Sequence, residues 1–252
     1  RTALPEPDAP VEYPEVGLYH PKSADRVVRD LAELPTHNGK AGTVGVLLMR
    51  SYALAKNSAH YDAVISSLEA RGLRVIPAFA SGLDARPAID AYFLRDGKPI
   101  VDTVLSLTGF SLVGGPAYND SDAAAEVLSA LDVPYVAVQP LEFQSLSDWQ
   151  DSNLGLTPLE STMMVSIPEL DGATGSLVYG GRKGEKGSVH EEMEGHPERI
   201  EMLANRVHRL VTLRRSKRAN RKVAMVLFNF PPNGGSTGTA AHLAVFESLF
   251  NT

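Results

Sequence analysis

Short apolar segments alternate with amphipathic segments between residues 43 and 138, and this alternation limits the possible folds more than any other feature. Thr43 to Met49 is almost continuously apolar, as expected of a parallel strand covered on both faces. An amphipathic helix follows, with Asn57 or Ser58 available as its N-cap and Gly72 at its C-terminal end. The cycle then repeats, with strands predicted over 73–79, 101–107 and 134–138 and helices over 87–94 and 121–131. This succession predicts an α/β domain.

The four predicted strands are expected to form one parallel sheet with helices on both faces, because crossovers between parallel strands are right-handed. The predicted fold is a three-layer Rossmann-like or flavodoxin-like α/β domain at residues 41–180. Residues 1–40, rich in proline and acidic side chains, are predicted to be a connecting arm that packs onto this domain. Residues 181–252 contain a long helix from Pro197 and a strand–helix unit with its strand at Val223 to Phe228. We interpret them as the start of a second α/β domain.

The region before the long helix has a mixed pattern. Thr162 to Ile167 and Leu177 to Tyr179 predict two short strands, separated by a turn at Pro168 to Gly172. In that turn, Glu169 and Asp171 carry carboxylates, which can bind a hard divalent cation or accept protons. A turn of this composition also has a purely structural explanation.

The composition excludes several classes of protein. The chain has no cysteine, which excludes disulfides, thiolate metal sites and cysteine nucleophiles. A formal net charge of -6 disfavours a general nucleic-acid binder, and the basic residues from Arg206 to Lys222 are interpreted as a solvated or protein-docking face. No apolar run reaches the ~18 residues of a membrane span. An apolar helical pattern runs to Phe250, so we expect the chain to be part of a longer protein.

Ligands of open parallel sheets bind beyond the carboxyl ends of the strands. The loop from Ser106 to Pro116 lies at such an end and places aromatic and aliphatic side chains among glycines. Thr108, Gly109 and Phe110 are therefore candidates for binding a flat apolar ligand, because glycine permits close approach and the ring offers apolar area. A buried crossover loop explains the same composition equally well.

Three further side chains lie near predicted strand ends. Phe143 and Gln144 follow the fourth strand and could line an apolar cleft, although packing in the core is the commoner role of such an aromatic ring. His60, near the start of the first helix, could be a ligand or proton carrier. An isolated histidine is more often a surface or capping residue, so both interpretations stay open.

A glycine-rich loop from Asn229 to Thr239 leads into a helix N-terminus, as phosphate-binding loops do. It lacks the Gly-Lys-Ser/Thr ending of nucleotide-binding loops, so a structural turn is the better interpretation. The candidate binding or interface residues of this loop are Asn229, Pro232, Gly238 and Thr239. The histidines and glutamates from His190 to Glu198 have no zinc-binding spacing and are predicted to form an acidic loop, so no metal site is predicted.

A series of short sequence blocks occurs in a fixed order along the chain. They are Arg50-Ser51 with His60-Tyr61, Gly82 to Asp84, Ser106 to Ala117, Leu131 to Tyr135, Phe143-Gln144, Gly155-Leu156, Pro168 to Gly172 and Phe228 to Ala241. In this order the blocks resemble the magnesium chelatase large-subunit family, which is grouped with CobN. The ending from Val245 to Phe250 resembles the purple-bacterial bacteriochlorophyll versions. The related cobaltochelatase large subunit is the alternative.

The resemblance implies part of an enzyme, a metal–porphyrin ligase whose substrates are protoporphyrin IX and Mg²⁺. It implies that ATP is hydrolysed by two smaller partner subunits, an AAA+ motor and its companion. Porphyrin-binding or interface roles then fall on the loop residues named above, with Glu169 and Asp171 as weak catalytic candidates. The resemblance places the other catalytic residues downstream of Thr252, so we expect this piece to be inactive alone. A cytoplasmic location, at most peripheral to the photosynthetic membrane, is expected; a non-catalytic docking domain for the motor subunits is the other hypothesis.

Overall fold

The computed structural model describes residues 12–37, 39–115, 118–184, 192–227 and 244–251. The chain divides into two compact units, one ending at Arg215 and the other beginning at Ser216. Within the described ranges, no helix is both long and apolar enough to cross a membrane. The candidate site lies in the first unit.

A six-stranded sheet forms the centre of the first unit. Its strands are β1 Val16–Tyr19, β2 Val27–Val28, β3 Gly42–Leu47, β4 Leu73–Ala80, β5 Thr103–Ser106 and β6 Tyr135–Ala137. Their spatial order is β6-β5-β3-β4-β1-β2, with β3 to β6 mutually parallel and β1 and β2 added antiparallel at the β4 edge. The four parallel strands have the flavodoxin-like order, so the predicted fold class is confirmed. The predicted arm contributes the edge strands β1 and β2.

The helices of the first unit agree with most of the predicted segments. They are α1 Arg50–Leu54, α2 Ala59–Glu69, α3 Arg86–Tyr92, α4 Ser121–Leu131, α5 Leu146–Asp151, α6 Pro158–Glu160, α7 Ile167–Leu170 and α8 Pro197–Arg215. Gly72 has a φ of +77°, which suits its predicted place after α2. Ser58 precedes α2, but its side chain makes no capping hydrogen bond to the helix.

Two apolar cores lie on opposite faces of the sheet. Helices α2 and α8 cover one face, where Tyr61 and Val207 pack with Val44 of β3. Helices α3 and α4 cover the other face, where Phe93 packs with residues from β4, β5 and β6. A Cβ atom at Gly45 would lie only 2.7 Å from the Phe93 ring, so glycine lets that ring lie directly on β3.

A second, three-stranded sheet continues from the central one. Its strands are β7 Gln139–Ser145, β8 Val178–Arg182 and β9 Met193–Gly195 in that spatial order. The predicted strand at 177–179 is confirmed as β8. Gly181 allows close pairing, because a Cβ atom there would lie 2.5 Å from that of Leu141.

The predicted strand at Thr162 to Ile167 is wrong. Residues Ser161–Ser166 form a π-helical segment between α6 and α7, and the predicted turn at 168–172 lies partly in α7. The cause is a capping box: Thr157 Oγ1 accepts from the Glu160 N–H, and Glu160 Oε2 accepts from the Thr157 N–H. This N-terminal signal, with proline at the first helical position, prevails over an apolar run that resembles a strand.

The long helix from Pro197 is confirmed as α8, and it belongs to the first compact unit because its apolar face packs against α2 and β3. The division at Arg215 therefore lies beyond the domain boundary predicted near residue 180. In the second unit, residues 221–227 carry no regular secondary structure, and helix α9 spans Val245–Asn251. The strand predicted from Val223 is therefore not present over residues 223–227, while Phe228 lies outside the described residues and a second α/β domain stays a prediction.

Candidate functional site

A crevice opens at the carboxyl ends of β3, β4 and β5. These strands include the switch point of the sheet, since β3 is flanked by β4 on one side and β5 on the other. Its lining is mainly apolar and comes from the segments that follow the three strands. Among the lining residues are Leu48, Met49, Ala80, Gly82, Leu83, Thr108, Phe110 and Leu112. The structure thus places Thr108 and Phe110 where they were predicted.

The first turn of the loop after β5 is held by local hydrogen bonds. Ser106 Oγ and Thr108 Oγ1 lie 3.0 Å apart, and Thr108 Oγ1 accepts from the Phe110 N–H at 3.2 Å. Gly109 has a φ of +69°, and a Cβ atom there would lie 3.2 Å from Cδ of Pro140. The loop therefore turns tightly against β7 and leaves Phe110 partly exposed at the crevice.

Asp171, at the C-terminal end of α7, is hydrogen-bonded to this loop. Its carboxylate is buried, and Oδ2 accepts from both Ser111 Oγ and the Leu112 N–H at 2.7 Å. Ser111 also donates to the Val113 carbonyl oxygen at 3.1 Å. The predicted candidate Asp171 thus lies next to the crevice loop, with one oxygen already bonded to it. Glu169, its predicted partner, is exposed on α7 and is not brought to the crevice.

The rim of the crevice carries one ion pair. The Arg86 guanidinium donates to the Asp84 carboxylate, with Nη2 to Oδ2 at 2.7 Å, and it lowers the pKa of Asp84. Leu83 lies against Gly115, where a Cβ atom would be only 2.1 Å from Cδ1 of Leu83. Glycine at this position therefore lets the loop after β4 contact the loop after β5.

The size of the crevice limits what it can bind. Its enclosed part measures about 30 Å³, whereas pockets that enclose a drug-sized molecule measure about 300–1,000 Å³. A water-sized group fits inside. A larger flat ligand can only lie across the mouth, against Leu83, Phe110 and neighbouring apolar side chains.

Phe143 and Gln144, also predicted site residues, lie on β7 away from this lining. The Phe143 side chain is 51% exposed. Gln144 Nε2 donates to Oε2 of the fully buried Glu160 at 2.5 Å, an oxygen that also accepts from the N–H and the hydroxyl of Thr157. Gln144 therefore helps to satisfy a buried carboxylate that anchors the capping box of α6.

Sequence reasoning missed an aromatic cluster beneath the crevice. Tyr61 and Tyr179 are fully buried with His60 between them, and both ring nitrogens of His60 lack a hydrogen-bond partner. Burial lowers the pKa of His60 to about 3, so the ring is neutral. Tyr52 stands edge-on to His60, and its hydroxyl lies 2.6 Å from each carboxylate oxygen of Glu142. The sequence predicted a helix that contains His60 and Tyr61 but gave no sign of this stack.

Some predicted residues cannot be placed. The candidates Asn229, Pro232, Gly238 and Thr239 lie outside the described residues, as does His190. His196 is described, and its Nε2 lies 2.7 Å from Nε2 of Gln150. Among the described residues, no three histidine or acidic side chains come together as a metal site.

Comparison with known proteins gives close relatives. The chain is 56% identical over 256 residues to a magnesium-chelatase subunit of Rhodobacter capsulatus, a match that covers 96% of this chain and 21% of that protein. The corresponding protein of Cereibacter sphaeroides is 54% identical over 257 residues, covering 96% of this chain and 22% of that protein. The CobN protein of the aerobic cobaltochelatase from a Sinorhizobium species is 27% identical over 209 residues, covering 80% of this chain and 16% of that protein.

The chain spans about a fifth of the length of the magnesium-chelatase relatives just named. A solved structure, the catalytic subunit of cobaltochelatase from Mycobacterium tuberculosis, has a similar fold with a TM-score of 0.68. That match is 24% identical and covers 92% of this chain and 18% of the other. Residues 2–252 match the family described as CobN/Magnesium Chelatase. The chain therefore belongs to the CobN/magnesium chelatase family.

Proposed function

We propose that this chain is part of the porphyrin-binding subunit of a magnesium chelatase, and that its crevice forms one wall of the protoporphyrin IX site. The observation that carries the proposal is the apolar, glycine-shaped loop from Ser106 to Gly115 at the switch point of the sheet. Its mouth offers Phe110 and Leu83 to the face of a flat macrocycle, while its enclosed part is too small to hold one. The porphyrin then lies between this wall and a wall supplied by the rest of the subunit.

The choice of magnesium over cobalt rests on the degree of similarity. Identity to the magnesium-chelatase subunits is 54–56%, against 27% for the cobaltochelatase subunit. Both types share the fold, so the scaffold alone does not distinguish them. The substrates that follow from the proposal are protoporphyrin IX and Mg²⁺, in bacteriochlorophyll biosynthesis.

Insertion of Mg²⁺ replaces two pyrrole N–H protons and requires a strongly hydrated cation to lose water. We propose that two smaller subunits, an AAA+ motor and its companion, hydrolyse ATP to drive this step in the cytoplasm or at the membrane surface. This chain orients the macrocycle and excludes water from one face. Asp171 is buried and supports the crevice loop through Oδ2, so we place the proton acceptors elsewhere in the subunit.

A porphyrin titration of the full-length protein tests the proposal. A soluble protoporphyrin analogue is added to the wild type, to Phe110→Ala and to Leu159→Ala, and its absorbance is followed. Leu159 is the control because it is an apolar side chain that is 51% exposed on α6, outside the crevice lining. We expect Phe110→Ala to bind about tenfold more weakly, since loss of a stacking ring weakens binding by about 1–2 kcal/mol.

Equal affinity of Phe110→Ala and wild type would contradict the porphyrin wall. In that case the family's other hypothesis, a docking domain for the motor subunits, predicts binding of those subunits to the wild-type protein without any change in the porphyrin spectrum. Preference for a corrin-type macrocycle over protoporphyrin would instead favour the cobalt enzyme.

A further inference from the structure

The two strands at the switch point end with backbone groups that the sheet no longer pairs. The last ladder bond between them runs from the Leu107 N–H to the Leu47 carbonyl oxygen at 3.0 Å. Beyond it, the chain after β3 turns into α1 and the chain after β5 turns into the crevice loop. Their buried polar groups then need partners from another part of the molecule.

Two buried tyrosines of the core that α2 and α8 cover provide those partners. Tyr61 of α2 accepts a hydrogen bond at its hydroxyl from the Met49 N–H at 3.3 Å. Tyr179 of β8 donates its hydroxyl to the Leu107 carbonyl oxygen at 3.0 Å. Met49 lines the crevice, and Leu107 immediately precedes Thr108, which also lines it. Each tyrosine thus hydrogen-bonds one of the two backbone segments that border the crevice, which we call the Met49 lip and the Leu107 lip.

The His60 ring contacts the rings of both tyrosines. Its ring centroid lies 3.9 Å from that of Tyr61 and 5.9 Å from that of Tyr179, and it is nearly parallel to the latter. All three rings are fully buried. Gly180 makes this approach possible, because a Cβ atom there would already lie 3.3 Å from Cβ of His60.

We infer that Tyr61, His60 and Tyr179 form a positioning stack that sets the separation of the Met49 and Leu107 lips and thereby the width of the porphyrin-binding mouth. The identity of the ligand in this inference rests on the proposed function, whereas the support of the two lips by the stack does not. None of the three side chains is among the crevice-lining residues; they act through the two backbone segments that border the crevice. Tyr52 anchors the side of the stack, because it contacts His60 and Tyr61 edge-on and is bonded to Glu142 of β7.

The test uses Tyr61→Phe and Tyr179→Phe in the full-length protein, since each change removes one oxygen atom and keeps the ring. Tyr92→Phe is the matched control. Tyr92 is also a buried tyrosine whose hydroxyl donates to a backbone carbonyl, that of Arg29 at 3.0 Å, but it lies in the core on the opposite face of the sheet.

Hydrogen exchange of the ligand-free protein tests whether the stack supports the Met49 lip. We expect the peptide that contains Met49 to exchange about fivefold to tenfold faster in Tyr61→Phe than in wild type, with no change in Tyr92→Phe, because its amide loses a buried acceptor. Unchanged protection of Met49 in Tyr61→Phe would overturn the inference.

Porphyrin affinity then tests the consequence for the crevice. Tyr61→Phe and Tyr179→Phe are each expected to bind the soluble protoporphyrin analogue about threefold to tenfold more weakly, and Tyr92→Phe to bind like wild type. The combined loss in Tyr179→Phe/Phe110→Ala should be smaller than the product of the single losses, because both changes act on the same loop. Losses that multiply independently, or an equal loss in Tyr92→Phe, would reduce the stack to a general structural role. If Phe110→Ala leaves porphyrin affinity unchanged, the proposed function fails. The exchange experiment still shows whether the stack supports the Met49 lip.

Discussion

The crevice loop and the second sheet both begin at carboxyl ends of parallel strands, yet they use their polar residues in different ways. In the crevice loop, the backbone N–H groups find partners both locally, at Thr108 Oγ1, and at the distant Asp171, while Phe110 stays partly exposed at the crevice. In the second sheet, polar side chains reach distant parts of the chain, as Glu142 does to Tyr52 and Gln144 does to Glu160. The difference teaches that a strand end can form a site where other parts of the chain support the loop and its own side chains stay available at the crevice. The second region uses its own polar side chains to hold the fold.

The largest effect is expected at Asp171, which supports the crevice loop although it lies outside it in sequence. Asp171→Ala removes the acceptor of two hydrogen bonds, from Ser111 and from the Leu112 amide, and leaves the buried amide unpaired. We expect the free energy of unfolding to fall by about 3 kcal/mol, because bonds to a charged group and an unpaired buried donor both contribute. Urea unfolding, with hydrogen exchange of the peptide around Leu112, measures the change.

Two companion variants separate support from catalysis at this position. Asp171→Asn keeps an oxygen acceptor and should retain most of the stability and of the porphyrin affinity. Glu169→Ala, an exposed carboxylate two residues away, should change stability by less than about 0.5 kcal/mol. An Asp171→Asn protein that is stable and binds porphyrin but no longer inserts Mg²⁺ would instead make Asp171 a proton acceptor.

The sequence predicted the central sheet well because its strands and helices differ in apolar periodicity. Strands β3 and β4 are covered on both faces of the sheet and are therefore continuously apolar, whereas α2 is buried on one side and shows helical spacing. Both patterns are visible within a short stretch of sequence. The edge strands β1 and β2 were missed because they are short and because β1 pairs with β4 across a long separation in sequence, with β2 pairing only onto β1. The π-helical segment Ser161–Ser166 was misread because its apolar run is compatible with a strand.

The candidate site was predicted in part for the same reason. Thr108 and Phe110 follow a recognisable strand, and the rule for parallel sheets then gives their location. The support from Asp171 depends on a contact with Ser111, 60 positions away in sequence. The stack of His60 with Tyr179 joins residues that are about twice as far apart in sequence. No local pattern encodes these contacts.

A second effect is expected from pH, because His60 lies under the crevice in its neutral form. Burial lowers its pKa from 6.5 to about 3, so between these values the unfolded chain binds a proton that the folded chain excludes. Stability from this residue is complete above about pH 6.5 and falls by up to about 1.4 kcal/mol for each unit as the pH drops towards 3. The urea midpoint measured at pH 7, 6 and 5 should therefore decrease in wild type and decrease less in His60→Phe.

The difference between the two proteins isolates His60. The pKa of His20 is also lowered by burial, but that group is present in both proteins, and the carboxylates of Glu69 and Asp84, whose pKa values are lowered, act below this range. The groups that face His60 are the rings of Tyr52, Tyr61 and Tyr179, none of which titrates between pH 5 and 7. Parallel curves for wild type and His60→Phe would show that the imidazole is not held neutral by its surroundings.

The smallest effect is expected at Gln144 of β7. Its substitution tests whether the polar residues of the second sheet have only a structural role. Its amide nitrogen donates to Glu160 Oε2 at 2.5 Å, but that oxygen keeps two donors from Thr157 when Gln144 is removed. Gln144→Ala should therefore lower the free energy of unfolding by only about 1 kcal/mol. Porphyrin affinity, measured by the same titration as for Phe110→Ala, should stay at the wild-type value. A loss of affinity in Gln144→Ala without a larger loss of stability would extend the porphyrin wall from the crevice to β7 and remove the contrast between the two regions.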